Sequence, residues 1–274
     1  MNTWRLLIDQ PKSGWDNMAT DEAILNICSQ EFSQATLRLY EWKNPTLSIG
    51  CFQRSDKIIE HCLKSDISYV RRITGGRAVL HADEIAYSIV CGENEPLFAE
   101  GISGAYRIIS RCLLEALREA GVNAEMQDAS LPQSASIRGC KMQDAEKISC
   151  FHSPSRYEII IDNKKLIGSA QRRFKRAFLQ HGSILFGINR ELIIQLFGEE
   201  SLQRMACLGF YSSIKKNEFK AILINKIKEG LNVQLTAGNI TNHERYLREK
   251  LISVKESECQ RVKELIAPPT RLGN

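Results

Sequence analysis

Residues 102–120 carry the strongest periodic signal in the chain. Ile102, Ala105, Ile109, Cys112, Leu113, Ala116, Leu117 and Ala120 recur at steps of three and four, one face of a helix, and Gly121 ends it. An apolar stripe of that length has to be buried against another layer. The rest of the chain supplies that layer as short strand-like runs at 4–8, 36–42, 46–50, 68–73, 85–91, 157–161, 165–167 and 178–186. Asn44-Pro45 is expected to turn the second run into the third as a hairpin, and Asp162-Asn163 to turn another. Further helices are expected from about Asn17 and at 56–64, 190–197, 217–230 and 241–265. Residues 128–149 are polar and aperiodic, which reads as a long loop. The expected fold class is α+β, with mixed or antiparallel sheets packed on helices. The strand-rich part ends near residue 210, and residues 211–274 read as a small helical extension.

Composition narrows the function. Apolar residues make up 43% and charged residues 25%, ordinary globular usage. The net charge of +5 resides in residues 211–274, which hold 12 Lys/Arg against 7 Asp/Glu. Signs alternate there, as in Arg248-Glu249-Lys250, so the charge reads as solvated helix faces and not as a nucleic-acid surface. No apolar run approaches a membrane span. The nine cysteines include no C-x-x-C pair, which removes the main support for a zinc ribbon or a thioredoxin-like site. Neither a metal nor another cofactor is expected. Their odd number and irregular spacing suit reduced thiols in the cytoplasm.

Four segments could carry chemistry. In Arg71-Arg72-Ile73-Thr74-Gly75-Gly76-Arg77-Ala78-Val79-Leu80-His81, two glycines at a strand end allow a backbone to approach a ligand, and arginines suit an anion. A tight hairpin turn with solvated arginines is an equally good reading. Cys150, in Cys150-Phe151-His152-Ser153-Pro154, leaves a loop just before a strand, where a thiol can be exposed. A small semi-buried residue is the plainer alternative. Lys165, one residue past a tight turn, can point inward, and if buried or crowded by cations it would exchange protons near neutral pH. Gly168-Ser169-Ala170 beyond it is small enough for a ligand chain to lie against. His181, in Leu179-Gln180-His181-Gly182, reads first as a satisfied strand residue.

Together, in this order, the segments resemble the biotin and lipoate protein ligase/transferase superfamily. VRRITGGRAVLH at 70–81, KKLIGSAQ at 164–171, LQHGSILF at 179–186 and NMATDEA at 17–23 carry the resemblance, which spans about residues 4–210. CFHSPSRYEI at 150–159 is similar to the cysteine-bearing loop of octanoyltransferases of the LipM type, which use that thiol as an acyl carrier. Gly75-Gly76-Arg77 stands where the ATP-dependent ligases usually have three glycines. Ala82 stands where an aspartate often follows the histidine, with Asp83 one place later.

The resemblance implies a catalytic domain over 1–210. It also implies octanoyl transfer from octanoyl-acyl carrier protein to a lysine of a lipoyl domain, such as glycine-cleavage H protein. Cys150 would carry the acyl group, and Lys165 would favour its thiolate and then accept a proton. Arg72, Thr74, Gly75, Gly76, Arg77, His81, Gly168, Ser169, Ala170 and His181 would bind substrate. Arg72, Arg77, Arg172 and Arg173 are the candidates for the acidic carrier or its phosphopantetheine. An ATP-dependent lipoate ligase, an amidotransferase between lipoyl domains and a non-catalytic acyl-protein binder remain open as alternatives.

Overall fold

In chain order the elements are β1 Asn2–Ile8, α1 Gly14–Gln30, β2 Thr36–Tyr40, β3 Thr46–Ile49, α2 Asp56–Lys64, β4 Ser68–Arg71, β5 Val79–His81, β6 Glu84–Gly92, α3 Pro96–Ala99, α4 Gly101–Glu119, β7 Glu125–Met126, β8 Ile159–Ile161, β9 Lys164–Arg173, β10 Ala177–Leu185, α5 Arg190–Phe197, α6 Lys216–Leu231, β11 Val233–Ala237 and α7 Asn242–Ile266. The computed structural model describes residues 1–31, 33–53, 56–127 and 157–266, with the side chains of 56 and 258–266 left aside. The expected loop at 128–149 lies outside the described residues.

Several elements follow from local chemistry. The Ser13 hydroxyl caps α1 by accepting from the Asp16 amide, and Gly121 at φ +78° ends α4 as its position after the apolar stripe predicts. Asp162 and Asn163 both take positive φ, 50° and 59°, as a two-residue turn between β8 and β9 requires.

Among the described residues, the main sheet has eight strands in the order β11-β1-β2-β6-β10-β9-β8-β7. β11, β1 and β2 run parallel, and the pairs from β2 onward are antiparallel. A second sheet has the order β4-β3-β5. The fold is thus α+β with mixed sheets. The stripe of α4 is buried against one face of the main sheet, where Ile109, Leu113 and Leu117 pack with Leu37, Tyr87 and Ile167. Ile24 and Leu25 of α1 pack with Leu7 and Leu179 in another cluster. The small sheet packs with α2 and α5 through Leu47, Ile49, Ile59, Cys62 and Ile193.

Two expectations are corrected. The runs at 36–42 and 46–50 do not form a hairpin: β2 lies inside the main sheet between β1 and β6, whereas β3 is the centre of the small one. Every residue of β2 is buried, so its pairing is decided by strands distant in sequence. Residues 211–266 are not purely helical and do not stand apart. β11 extends the main sheet beside β1, and Phe219, Leu223 and Ile227 of α6 belong to the same core as α4. Arg5 of β1 and Glu244 of α7 form a buried bidentate pair at 2.7 and 2.6 Å.

Candidate active site

Where the two sheets meet lies a small cleft open to solvent. Met18, Tyr40, Trp42, Val79 and Ala86 give it apolar walls, and the Gly168-Ser169-Ala170 stretch of β9 lies along it. Ser48, Arg72, His81, His181 and Ser183 supply its polar groups.

Two carboxylate–histidine pairs set the electrostatics. Asp21 of α1 is fully buried. Its Oδ1 accepts from Arg38 Nη1 at 2.7 Å and from the Ser88 hydroxyl at 2.8 Å. Its Oδ2 accepts from the Tyr40 hydroxyl and faces His181 Nδ1, both at 3.1 Å. Burial pushes the Asp21 carboxyl up, but the Arg38 charge and the His181 bond outweigh it and hold the group below its ordinary range. Burial also holds His181 below its ordinary value, against the pull of Asp21, so the ring is neutral at pH 7. With Nδ1–H donating to Asp21, Nε2 accepts from the Thr74 hydroxyl at 2.7 Å. The second pair is His81 Nδ1 with Glu84 Oε1 at 2.7 Å, and His81 Nε2 meets Ser48 Oγ at 2.7 Å. Trp42 stacks on the His81 ring at 4.0 Å and fixes its plane.

The glycine loop is built differently from a hairpin. β4 and β5 flank β3 and do not pair with each other, so residues 72–78 cross the end of β3. Arg72 rivets the crossing. Its Nε donates to Thr74 Oγ1, Nη1 to the Ser48 carbonyl and hydroxyl, and Nη2 to the carbonyls of Gly75 and Arg77. All five guanidinium N–H bonds are thereby used. Gly50 supplies the room, because a Cβ there would stand 2.0 Å from the Gly76 carbonyl oxygen. Gly76 is needed for its φ of +89°.

The chain matches the family described as Lipoyl protein ligase A/B catalytic domain over residues 13–228. It is 35% identical to Octanoyltransferase LipM of Brevibacillus brevis, over 93% of this chain and 96% of that one. It is 36% identical to Octanoyltransferase LipM of Clostridioides difficile, over 94% and 98%. A crystal structure of lipoate-protein ligase A bound with ATP superposes with a TM-score of 0.77 at 22% identity, covering 94% and 96%. That last likeness speaks for the fold. The chain belongs to the lipoyl protein ligase A/B catalytic-domain family, among the LipM sequences.

In this family member, Arg72, His81, Gly168, Ser169, Ala170 and His181 all line the cleft. Thr74, Gly75, Gly76, Arg77 and Lys165 are not in that lining. Arg72 cannot offer its guanidinium to a carrier protein, because it is buried and saturated by the loop it holds. Arg173 is tied to the Phe98 carbonyl at 2.6 Å and lies 3.7 Å over the Phe98 ring. Arg172 lies 5.7 Å from the rings of both Phe52 and Phe174. The partner of His81 is Glu84, not Asp83, which pairs with Lys216 at 2.8 Å. Lys165 is buried as expected, but it faces a carboxylate instead of other cations. Its Nζ donates to Glu158 Oε1 at 2.6 Å, and both side chains are 4% exposed.

Cys150 and His152 lie outside the described residues. Burial pushes Cys62 and Cys112 up to about 11, and raises Cys91, Cys28 and Cys207 as well. Five of the nine cysteines are thus poor sources of thiolate. Sequence reasoning missed Asp21, Glu84 and Glu158. Asp21 stands inside the 17–23 segment and Glu158 inside the 150–159 run, so both had a signal; Glu84 had none.

Proposed function

We propose that the chain is an octanoyltransferase of lipoate synthesis. It moves the acyl group from octanoyl-acyl carrier protein to a lysine of a lipoyl domain, such as glycine-cleavage H protein, through a thioester on Cys150. The observation that carries this reading is the apolar cleft on which the separate family segments converge. The contact of Glu158 with Lys165 supports the rest, since it sets the end of the cysteine-bearing run against the segment that bears the functional lysine.

The chemistry runs in two steps. The Cys150 thiolate attacks the carrier's thioester and expels the carrier's thiolate, which takes up the thiol proton. The exchange is nearly balanced and needs no ATP. The acceptor ammonium first gives a proton to water; the free amine then attacks the Cys150 thioester, and its N–H proton passes to the departing sulfur to leave an amide and a free thiol. The acceptor's unperturbed pKa of about 10.4 makes that deprotonation the difficult part. Lys165 supplies positive charge for the thiolate. His81, the neutral His181 and the loop amides line the acyl carbonyl's surroundings. The carrier and lipoyl proteins of this reading imply the cytoplasm as its compartment.

Incubation with octanoyl-carrier protein in the absence of ATP tests the reading. Mass spectrometry should find an octanoyl adduct that Cys150→Ala lacks. An undiminished adduct on Cys150→Ala removes the cysteine from its role. Activity only with ATP and free lipoate would make the chain a ligase. Transfer only from an octanoylated lipoyl domain would make it an amidotransferase.

A further inference from the structure

Glu158 has two features that a merely stabilising residue would not need. Oε1 accepts from Lys165 at 2.6 Å, while Oε2 is buried and has no hydrogen-bond partner among the described residues. A buried carboxylate oxygen without a partner is costly, and a well-packed apolar pair would fill the same space at less cost. The backbone on both sides is also pinned. The Glu158 carbonyl accepts from the Gln127 amide at 2.9 Å, and the Lys165 carbonyl accepts from the Ala206 amide at 3.0 Å. Three residues further along β9, Gly168 enters the cleft wall, roughly 10 Å away at the rise of a strand.

We propose that Glu158 is the positioning residue that fixes the Lys165 ammonium for acyl transfer. The proposal rests on the reading of Lys165 as the functional lysine. A lysine has a flexible four-carbon stem and a compact, strongly hydrated head, so by itself it does not hold one direction. A buried carboxylate at 2.6 Å gives it one. An ammonium carries three N–H bonds and no lone pair. Held this way, Lys165 donates charge and hydrogen bonds to a developing negative atom and does not take up the proton of the acceptor amine. Glu158 makes and breaks no covalent bond in this role. The expected part of Lys165 as proton acceptor is thereby reassigned to that of a fixed cation.

The test measures octanoyl transfer from carrier protein to a lipoyl domain with the full chain and the variants Glu158→Gln, Glu158→Asp, Lys165→Met and Glu158→Gln with Lys165→Met. Glu158→Gln is expected to lower kcat by about tenfold or more, with KM for the carrier within about twofold. In the Lys165→Met background the same change should cost about twofold or less, because the two residues act as one unit. Glu158→Asp should recover part of the rate. A native kcat in Glu158→Gln overturns the proposal, and so does an equal loss in both backgrounds. A native rate in Lys165→Met removes the underlying reading of the lysine and the proposal with it. If Glu158→Gln shows no cooperative melting, the pH–rate profile of Glu158→Asp decides. A displaced profile supports positioning, and one superimposable on the native profile overturns it.

Discussion

Asp21 is the residue whose loss should be felt most widely. Replacing it by alanine removes an acceptor that four groups share: Arg38, Ser88, Tyr40 and His181. The gravest consequence falls on Arg38, which is fully buried. Removing one partner of a buried ion pair costs about 3–5 kcal/mol, because the other charge stays behind without it. Arg38 keeps Asp9 at 2.8 Å and two acceptors on Asn17, so the lower end applies, about 3 kcal/mol. For a chain of this size, roughly 2–4 °C of melting temperature correspond to each kcal/mol, which gives a fall of about 6–12 °C. Differential scanning calorimetry reads this directly. Asp21→Asn keeps the volume and part of the hydrogen bonding and should lose less, about 1–3 kcal/mol. Asp21→Leu combined with Arg38→Met leaves no orphaned charge and should melt above Asp21→Ala. An Asp21→Ala protein melting within about 2 °C of the native chain would refute the burial argument. A double variant less stable than the single would refute it equally.

Three further outcomes follow from the same geometry. Gly50→Ala drives a Cβ to 2.0 Å from the Gly76 carbonyl oxygen and should displace the loop and abolish transfer, whereas Gly75→Ala meets only the Phe52 ring at 3.9 Å and should stay active; equal activities would show that the close approach is not needed. His181 and Asp21 are both held below their ordinary values of 6.5 and 3.8, so the unfolded chain takes up more protons on acidification. Stability from His181 is therefore complete above about pH 6.5 and lost below it, and that from Asp21 is lost below about pH 3.8; a urea midpoint rising from pH 7 to 5 contradicts this, and His181→Gln should reduce the first decline. A chain ending at residue 210 strips Phe219, Leu223 and Ile227 from the core, at about 1.5–3 kcal/mol each, comparable to the whole stability of a domain. It should show no cooperative melting by circular dichroism; a native-like melt would make the C-terminal segment dispensable.

Some of this was visible in residue order alone. The stripe on α4, the glycine that ends it and the Asp162-Asn163 turn are set by interactions within a few residues, so period and turn chemistry suffice to find them. The family segments also marked the cleft's own residues, from Arg72 to His181. Strand β11 was missed although Val233-Gln234-Leu235-Thr236-Ala237 alternates apolar and polar, because the run is only five residues long between two helices and is fixed as a strand by pairing with β1. Arg72 was misjudged because a guanidinium next to glycines reads as a ligand clamp until its five donors are counted.

The sequence by itself determined the longer helices, the Asp162-Asn163 turn and the family segments that meet at the cleft. Tertiary structure decided which sheet each strand joins and which side chain each carboxylate meets: Asp21 with His181, Glu84 with His81, Glu158 with Lys165. The physical reason is burial. A hydrogen bond or ion pair gains its strength and direction only where water is excluded. Which side chains lose water together depends on packing between segments as far apart as α1 and β10, and no local pattern in the chain encodes it.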